Sequence, residues 1–187
     1  MNTKANPQGK GLVPLLESFE DIRSLVSATP KNIHQISSEL FTSLFVLHSQ
    51  FSFKPVIGKE YWLYENNRAF KLSLISPAEW GNSEFGKCVG KCILQTDVTW
   101  SLELDSRAMN DQALMSYIKS KRDEFEKAIS KSESMIDALP VYVDELPYYQ
   151  RIYASVLASS LKQSMIMSGI DTMSYQEAEQ YLLPDTN

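Results

Sequence analysis

The spacing of apolar residues changes twice along this chain, and the changes divide it into three stretches. In the first, Leu15, Phe19, Ile22 and Val26 recur at four, three and four, the spacing that gathers side chains on one face of a helix. Pro14 suits the first turn of that helix. Thr29-Pro30 then offers a capping hydroxyl followed by proline at N1. A second helix is predicted from there to about Gln50. Its stripe is Ile33, Ile36, Leu40, Leu44, Leu47 and Phe51, widened by Phe41 and Phe45. So broad an apolar surface marks the most buried helix of the fold.

In the second stretch the period falls to two. Tyr61, Leu63 and Glu65 alternate with Trp62 and Tyr64, and Phe70, Leu72 and Leu74 alternate with Lys71 and Ser73. Alternation of this kind makes half-buried strands. Asn66-Asn67 between them supplies a turn, because asparagine tolerates positive φ. Ser76-Pro77 ends the second strand and a loop carrying Trp80-Gly81 follows. A third strand is predicted over Lys87–Gln95 and a fourth over Thr99–Leu104, joined tightly through Thr96-Asp97. Short sequential connections of this kind predict a meander.

The third stretch returns to helical spacing. Asn110 can cap a long helix to about Ala138, with Leu114, Ile118, Phe125, Ile129 and Ile136 as its stripe and Pro140 as its stop. Val141–Val143 reads as extended. Another helix starts near Asp144 or Pro147 and ends at Gly169, a C′ glycine. Its middle, Ala154, Ser155, Ala158, Ser159 and Ser160, is small enough to admit a second helix closely. Ser174-Tyr175-Gln176-Glu177 is a capping box for a last short helix stopped by Pro184. The expectation is an α+β fold, a four-stranded antiparallel β-meander packed against a bundle of α-helices. It is one domain over residues 1–187: a loose arm at 1–12, N-terminal helices at 14–51, the meander at 60–104 and C-terminal helices at 110–183.

Composition adds limits to this picture. With 43% hydrophobic and 22% charged residues among 187, the chain has material for one core. Residues 1–100 hold ten Lys/Arg and nine Asp/Glu; residues 101–187 hold eight and fourteen, so the net charge of −5 sits in the C-terminal half. That acidity argues against nucleic acid, whose affinity rests on cations that neutralise phosphates. The longest uncharged stretch, Leu40–Phe53, is 14 residues long and carries polar side chains. A spanning helix needs about 20 apolar residues, so no membrane segment is expected. Cys88 and Cys92 lie in one predicted strand about 13 Å apart at ~3.3 Å per residue, too far to bridge. Free thiols fit a cytoplasmic location.

Chemistry-bearing constellations are sparse. His34 and His48 are about 21 Å apart if both lie on one helix at 1.5 Å per residue, so they cannot share a metal, and His48 reads as a core histidine. No zinc spacing, phosphate loop or nucleophile elbow occurs. No catalytic residue, metal ligand or cofactor is assigned. What stands out is aromatic density in and beside the sheet, and two acids in loops flanking the third strand. The candidate binding residues are Tyr61, Tyr64, Glu79, Trp80, Asp97 and Trp100. A meander would put the Glu79 and Asp97 loops at opposite sheet ends, which separates them. Asp97 doubles as a turn residue bonding its own backbone.

These residues fall in recognisable strings. Lys54-Pro55-Val56-Ile57-Gly58-Lys59-Glu60-Tyr61-Trp62-Leu63-Tyr64, then Ser73-Leu74-Ile75-Ser76-Pro77-Ala78-Glu79-Trp80-Gly81, then Asp97-Val98-Thr99-Trp100 resemble the family called domain of unknown function 2452. Asn6–Pro14 and Leu146-Pro147-Tyr148-Tyr149-Gln150-Arg151 look like its bacterial branch. The resemblance implies that the sheet is the shared module and the C-terminal helices an addition. It brings no activity with it.

Two functions compete. The first is a non-enzymatic protein-binding or adaptor role, with a protein partner or self-association through the sheet's outer face or the small-residue helix Leu146–Ser168; Trp and Tyr are frequent interface anchors. The second is a small-molecule binder or enzyme with a pocket at the Glu79-Trp80 loop, where an apolar ring would raise the Glu79 carboxyl pKa.

Overall fold

A computed structural model describes residues 27–80, 85–140 and 146–181. The predicted arm, the helix over 14–26, the extended Val141–Val143, Gly81 and the Pro184 stop lie outside them. Helix α1, Ile33–Leu47, has its cap three residues beyond Thr29. The cap is Asn32: its side chain accepts from Gln35 N at 2.9 Å while Gln35 Oε1 accepts from Asn32 N at 3.0 Å. A reciprocal box satisfies two orphan donors at once, which a lone threonine cannot do. The helix ends at His48, whose Nδ1 lies 2.7 Å from the Leu44 carbonyl. His48 is exposed, not a core histidine.

The sheet is antiparallel and four-stranded: β1 Glu60–Asn66, β2 Ala69–Ser73, β3 Lys87–Leu94 and β4 Trp100–Leu104. The α+β class, with this sheet and six helices among the described residues, is as expected. The strand order is β2-β1-β3-β4, so it is not a sequential meander. Strands β2 and β3 both pair antiparallel to β1. They therefore point the same way, and the connection over residues 74–86 must run the length of the sheet. The physical reason lies on the second face. Tyr64 projects there, and the connection covers it: the Tyr64 hydroxyl donates to the Ile75 carbonyl at 2.9 Å and its ring meets Phe85 edge-on at 6.4 Å. An end loop would have left that tyrosine in water.

The β1–β2 turn is Asn67-Arg68, both at positive φ (50° and 65°), one residue later than Asn66-Asn67. Between Leu63 and Tyr64 the β1–β3 register shifts, because Val89 has no partner on β1. This bulge re-aims the strand. It sets Cys92 opposite Tyr61, in the core, and Cys88 opposite Tyr64, on the other face. The two thiols, both free, thus do not share a face as i and i+4 otherwise would. A Cβ on Gly90 would stand 2.2 Å from the Glu103 carbonyl oxygen, so only glycine lets β3 and β4 close here.

Beyond the sheet come α2 (Pro77–Trp80, within the crossover), α3 (Ser106–Met109), α4 (Gln112–Ile129), α5 (Tyr148–Ser168) and α6 (Tyr175–Tyr181). Asp111, not Asn110, caps α4, accepting from Leu114 N at 3.1 Å. That helix stops at Ile129, well before Pro140. Ser130 and Ser132 turn their hydroxyls back onto the Lys127 and Ala128 carbonyls, and Ser134 bonds Asp137. Serines that compete for backbone groups in this way weaken helix. Gly169 ends α5 at φ 70°, and Ser174–Glu177 caps α6, both as expected.

The core joins one sheet face to α1 and α5: Tyr61, Leu63, Leu72, Cys92, Leu94 and Trp100 meet Ile33, Ile36, Leu40, Ala154, Leu157 and Leu161. Ala154, Ala158 and Ser160 of the small-residue stripe are buried, and α5 packs on α1. The close approach that stripe permits is made within the chain. Among the described residues no helix is long and apolar enough to cross a membrane.

Candidate functional site

The crossover does more than cover Tyr64. It closes a cleft of about 460 Å³ against the end of β1, the start of β3 and the beginnings of α3 and α4. Its lining includes Tyr64, Pro77, Trp80, Cys88, Arg107 and Asp111. Pockets of this size hold small ligands. Gly86 brings the chain back from the crossover at φ 100°, within 2.2 Å of the Glu65 oxygen for any added Cβ. Bulkier residues would hold this wall away from the sheet.

The polar groups of the cleft divide by what they already do. Asp105 and Asp111 cap the two helices: Asp105 Oδ1 accepts from Arg107 N at 2.8 Å and Asp111 Oδ1 from Leu114 N. Asp111 Oδ2 also accepts from Lys87 Nζ at 2.7 Å. That contact, with the Leu114 amide, holds the Asp111 carboxyl below its ordinary range and raises Lys87. Both acids are thereby engaged. The donors are less so. The Arg107 guanidinium is exposed and has no side-chain partner among the described residues. Trp80 Nε1 is buried and likewise unpartnered among them. A buried N–H without an acceptor is costly, about 1–3 kcal/mol, but this nitrogen is closed off from the cleft and leaves Arg107 as the donor open to a ligand.

Tyr64 and Cys88 are held in their neutral forms. Burial, then the neighbouring Cys88 and Glu79, pushes the Tyr64 phenol up to about 12. Burial and Asp105 raise the Cys88 thiol. Neither is a nucleophile at neutral pH. Among the described residues no group of three or more His, Cys, Asp or Glu could hold a metal ion.

Of the six candidate residues, Tyr64 and Trp80 meet in this cleft. Tyr61 and Trp100 do not: they are fully buried against each other, ring centroids 5.6 Å apart, and Tyr61 Oη accepts from Val56 N at 2.7 Å. Glu79 is exposed and reaches back to Ser76, accepting from its Oγ at 2.7 Å and its N at 2.9 Å. Those bonds lower the Glu79 pKa, opposite to the rise expected beside Trp80. Asp97 sits at the other end of the sheet. Its Oδ1 accepts from Thr99 N and Oγ1, as a turn residue does, and its Oδ2 pairs with Lys31, which also pairs with Glu39. Burial would raise Asp97, but Lys31 and Thr99 outweigh it and hold the carboxyl low. Glu79 and Asp97 are therefore separate.

Lys87, Cys88, Asp105, Arg107 and Asp111 were not among the sequence candidates. They come from three consecutive elements that the β3–β4 pairing brings together, and the β2-β1-β3-β4 order adds Tyr64 beside Cys88. The one signal available was an aspartate before each helical run, at 105 and 111.

A family model described as "Protein of unknown function (DUF2452)" matches residues 20–120. That range holds α1, the whole sheet, the cleft and the first half of α4, and stops short of α5 and α6. No curated protein and no solved structure matches the chain.

Proposed function

The chain belongs to the family described as Protein of unknown function (DUF2452), and from that premise we propose that it is a small-molecule-binding protein whose site is the Tyr64–Trp80 cleft. One observation carries the reading: the cleft's acids are consumed as helix caps while the exposed Arg107 guanidinium stands without a side-chain partner among the described residues. A ligand suited to that balance is short, polar and rich in acceptor oxygens, such as a small carboxylate or phosphate. With Tyr64 and Cys88 both held neutral, the site is one of binding and not of nucleophilic chemistry. The same reading puts the protein in the cytosol, where two free thiols stay reduced.

The adaptor reading has less to stand on. Tyr64 on the sheet's outer face is covered by the crossover, and Ala154, Ala158 and Ser160 of α5 are buried within the chain. The experiment is a thermal-shift series with short carboxylates and phosphates on the wild type and on Arg107→Ala. At least one such anion should raise the wild-type Tm, and Arg107→Ala should abolish the rise. If none shifts the wild type, or the variant responds equally, the proposal is wrong.

A further inference from the structure

A second cleft, of about 500 Å³, lies between α1 and α4 where both reach the β2 side of the sheet. It shares no residue with the Trp80 cleft. Its wall is a run of half-buried rings. Phe41 lies 6.0 Å from Phe45 and 5.6 Å from Phe125; Phe45 meets Phe70 edge-on at 4.9 Å; Phe70 stacks on Tyr117 at 5.8 Å. Each ring is tied to the next, so the wall is preformed, and binding to it costs little ordering.

At one rim, two cations converge on a single ring. The Arg68 guanidinium stands 5.1 Å and Lys121 Nζ 5.9 Å from the Tyr117 centroid. Neither is consumed by its present contacts. Arg68 donates one bond, from Nη2 to the Ala113 carbonyl at 3.2 Å, leaving most of its five N–H groups. Lys121 pairs with Glu124 at 2.8 Å, but both side chains are about half exposed, and such surface pairs are weak and exchangeable. The backbone adds to the case. Arg68 occupies a turn position at φ 65°, where glycine or asparagine fits better, so a long cationic side chain is held beside the aromatic wall despite a backbone cost.

We infer that this cleft binds an amphipathic monocarboxylate, its apolar body against Phe41, Phe45 and Phe125 and its carboxylate between Arg68 and Lys121. Charge complementarity selects the anion: two cations share one edge of an apolar wall in a chain of net charge −5. A carboxylate there sets a full negative charge against both cations, where an alcohol of equal length offers only a neutral oxygen. The inference is independent of the Trp80 cleft and concerns a different ligand.

The test is calorimetric titration of the full chain with decanoate below its micelle-forming concentration, alongside decan-1-ol. Decanoate should bind saturably, about tenfold more tightly than the alcohol, a modest factor because the two cations stand at a solvent-exposed rim. Arg68→Gln/Lys121→Gln should remove that preference and leave the alcohol's affinity in place. Lys121→Gln alone, at an exposed position, should show part of the loss and keeps the test readable if the double variant unfolds. Equal affinities, a preference that survives both substitutions, or no saturable decanoate binding would overturn the inference. So would a wild-type dimer in sedimentation that decanoate fails to dissociate and Lys121→Gln weakens, since the cleft would then be a contact between two copies.

Discussion

The Tyr153 hydroxyl donates a 2.6 Å hydrogen bond to the carbonyl of Pro55, across 98 residues of chain. Both groups are buried, and Gln150 Nε2 reinforces the crossing by donating to the Ser49 carbonyl at 3.1 Å. These bonds tie α5, outside the family match, to the segment that leads into β1, inside it. Burial pushes the Tyr153 phenol up, so the donor keeps its proton through neutral and mildly alkaline pH.

Tyr153→Phe should therefore lower stability by about 1–3 kcal/mol, the cost of orphaning a buried carbonyl while the ring's packing is kept. Urea unfolding at pH 7 measures it. A midpoint equal to the wild type would mean that the Tyr153 bond adds nothing to the hold on α5.

The Lys31–Asp97 pair gives a pH-dependent prediction. Lys31 is buried, its ammonium shared between Asp97 and Glu39, and Asp97 is nearly so. Burial disfavours the Lys31 cation, yet the two carboxylates outweigh it and raise its pKa; Asp97 is lowered. A lowered carboxyl stabilises above its unfolded pKa of about 3.9 and loses that contribution as pH falls through the folded value. A raised ammonium stabilises below about 10.4 and loses it as pH rises through the folded value. Asp97→Asn keeps the Oδ1 acceptor for Thr99 and removes the charge together with the Oδ2 acceptor that Lys31 uses. Its destabilisation, about 1.5–3 kcal/mol for a charged hydrogen bond, should be constant from about pH 5 to 9 and shrink below pH 4. Urea midpoints at pH 7 and pH 3 decide it; a loss of equal size at both would remove the charge from the account.

What could be read from the chain follows from how local each signal is. Phe70, Lys71 and Leu72 alternate whatever their neighbours, so β2 is visible in sequence. That β3 lies beside β1 and not beside β2 is invisible, because a connection as long as residues 74–86 permits either order, and Tyr64's burial decides between them. Phe125, Ile129 and Ile136 keep helical spacing, yet α4 ends at Ile129 because serine side chains take its carbonyls. The cleft followed the same rule. Trp80 could be singled out as an aromatic in a loop, but Tyr64 and Cys88 become neighbours only through the strand order. Tyr61 and Tyr64, alike in sequence, differ because three residues on a strand reverse the face: one enters the core and the other the crossover's shelter.

The hairpin supplies a test of backbone strain. Asn67 and Arg68 both hold positive φ, as a two-residue type I′ turn requires. Arg68→Ala and Arg68→Gly lose the same bond to Ala113 and the same stacking on Tyr117. They differ only in what a Cβ costs in the left-handed region, about 1 kcal/mol. The glycine variant should be the more stable by that amount in thermal or urea unfolding. If the alanine variant matches it, the turn relaxes out of the left-handed region once the arginine is gone.

The last prediction concerns a polar residue on an apolar helix face. Ser43 lies among Ile36, Leu40, Val46 and Leu47 on the buried side of α1, itself fully buried. Its Oγ accepts from Trp100 N at 2.9 Å, 57 residues away. The reason lies in the sheet: β4 has β3 on one side only, and Trp100's amide faces α1 instead of a further strand. A buried amide on an open edge needs an acceptor, and the helix brings one. Ser43→Ala removes the acceptor at almost unchanged volume, so the loss, about 1–3 kcal/mol, is the cost of a stranded N–H. Ser43→Val would add apolar volume and still strand it, and should be no better than alanine. Hydrogen exchange at the Trp100 amide separates this from a packing effect: protection there should fall more than at Leu94, its partner on β3. Equal loss at both positions would show that the serine supports the helix–sheet contact and not the edge.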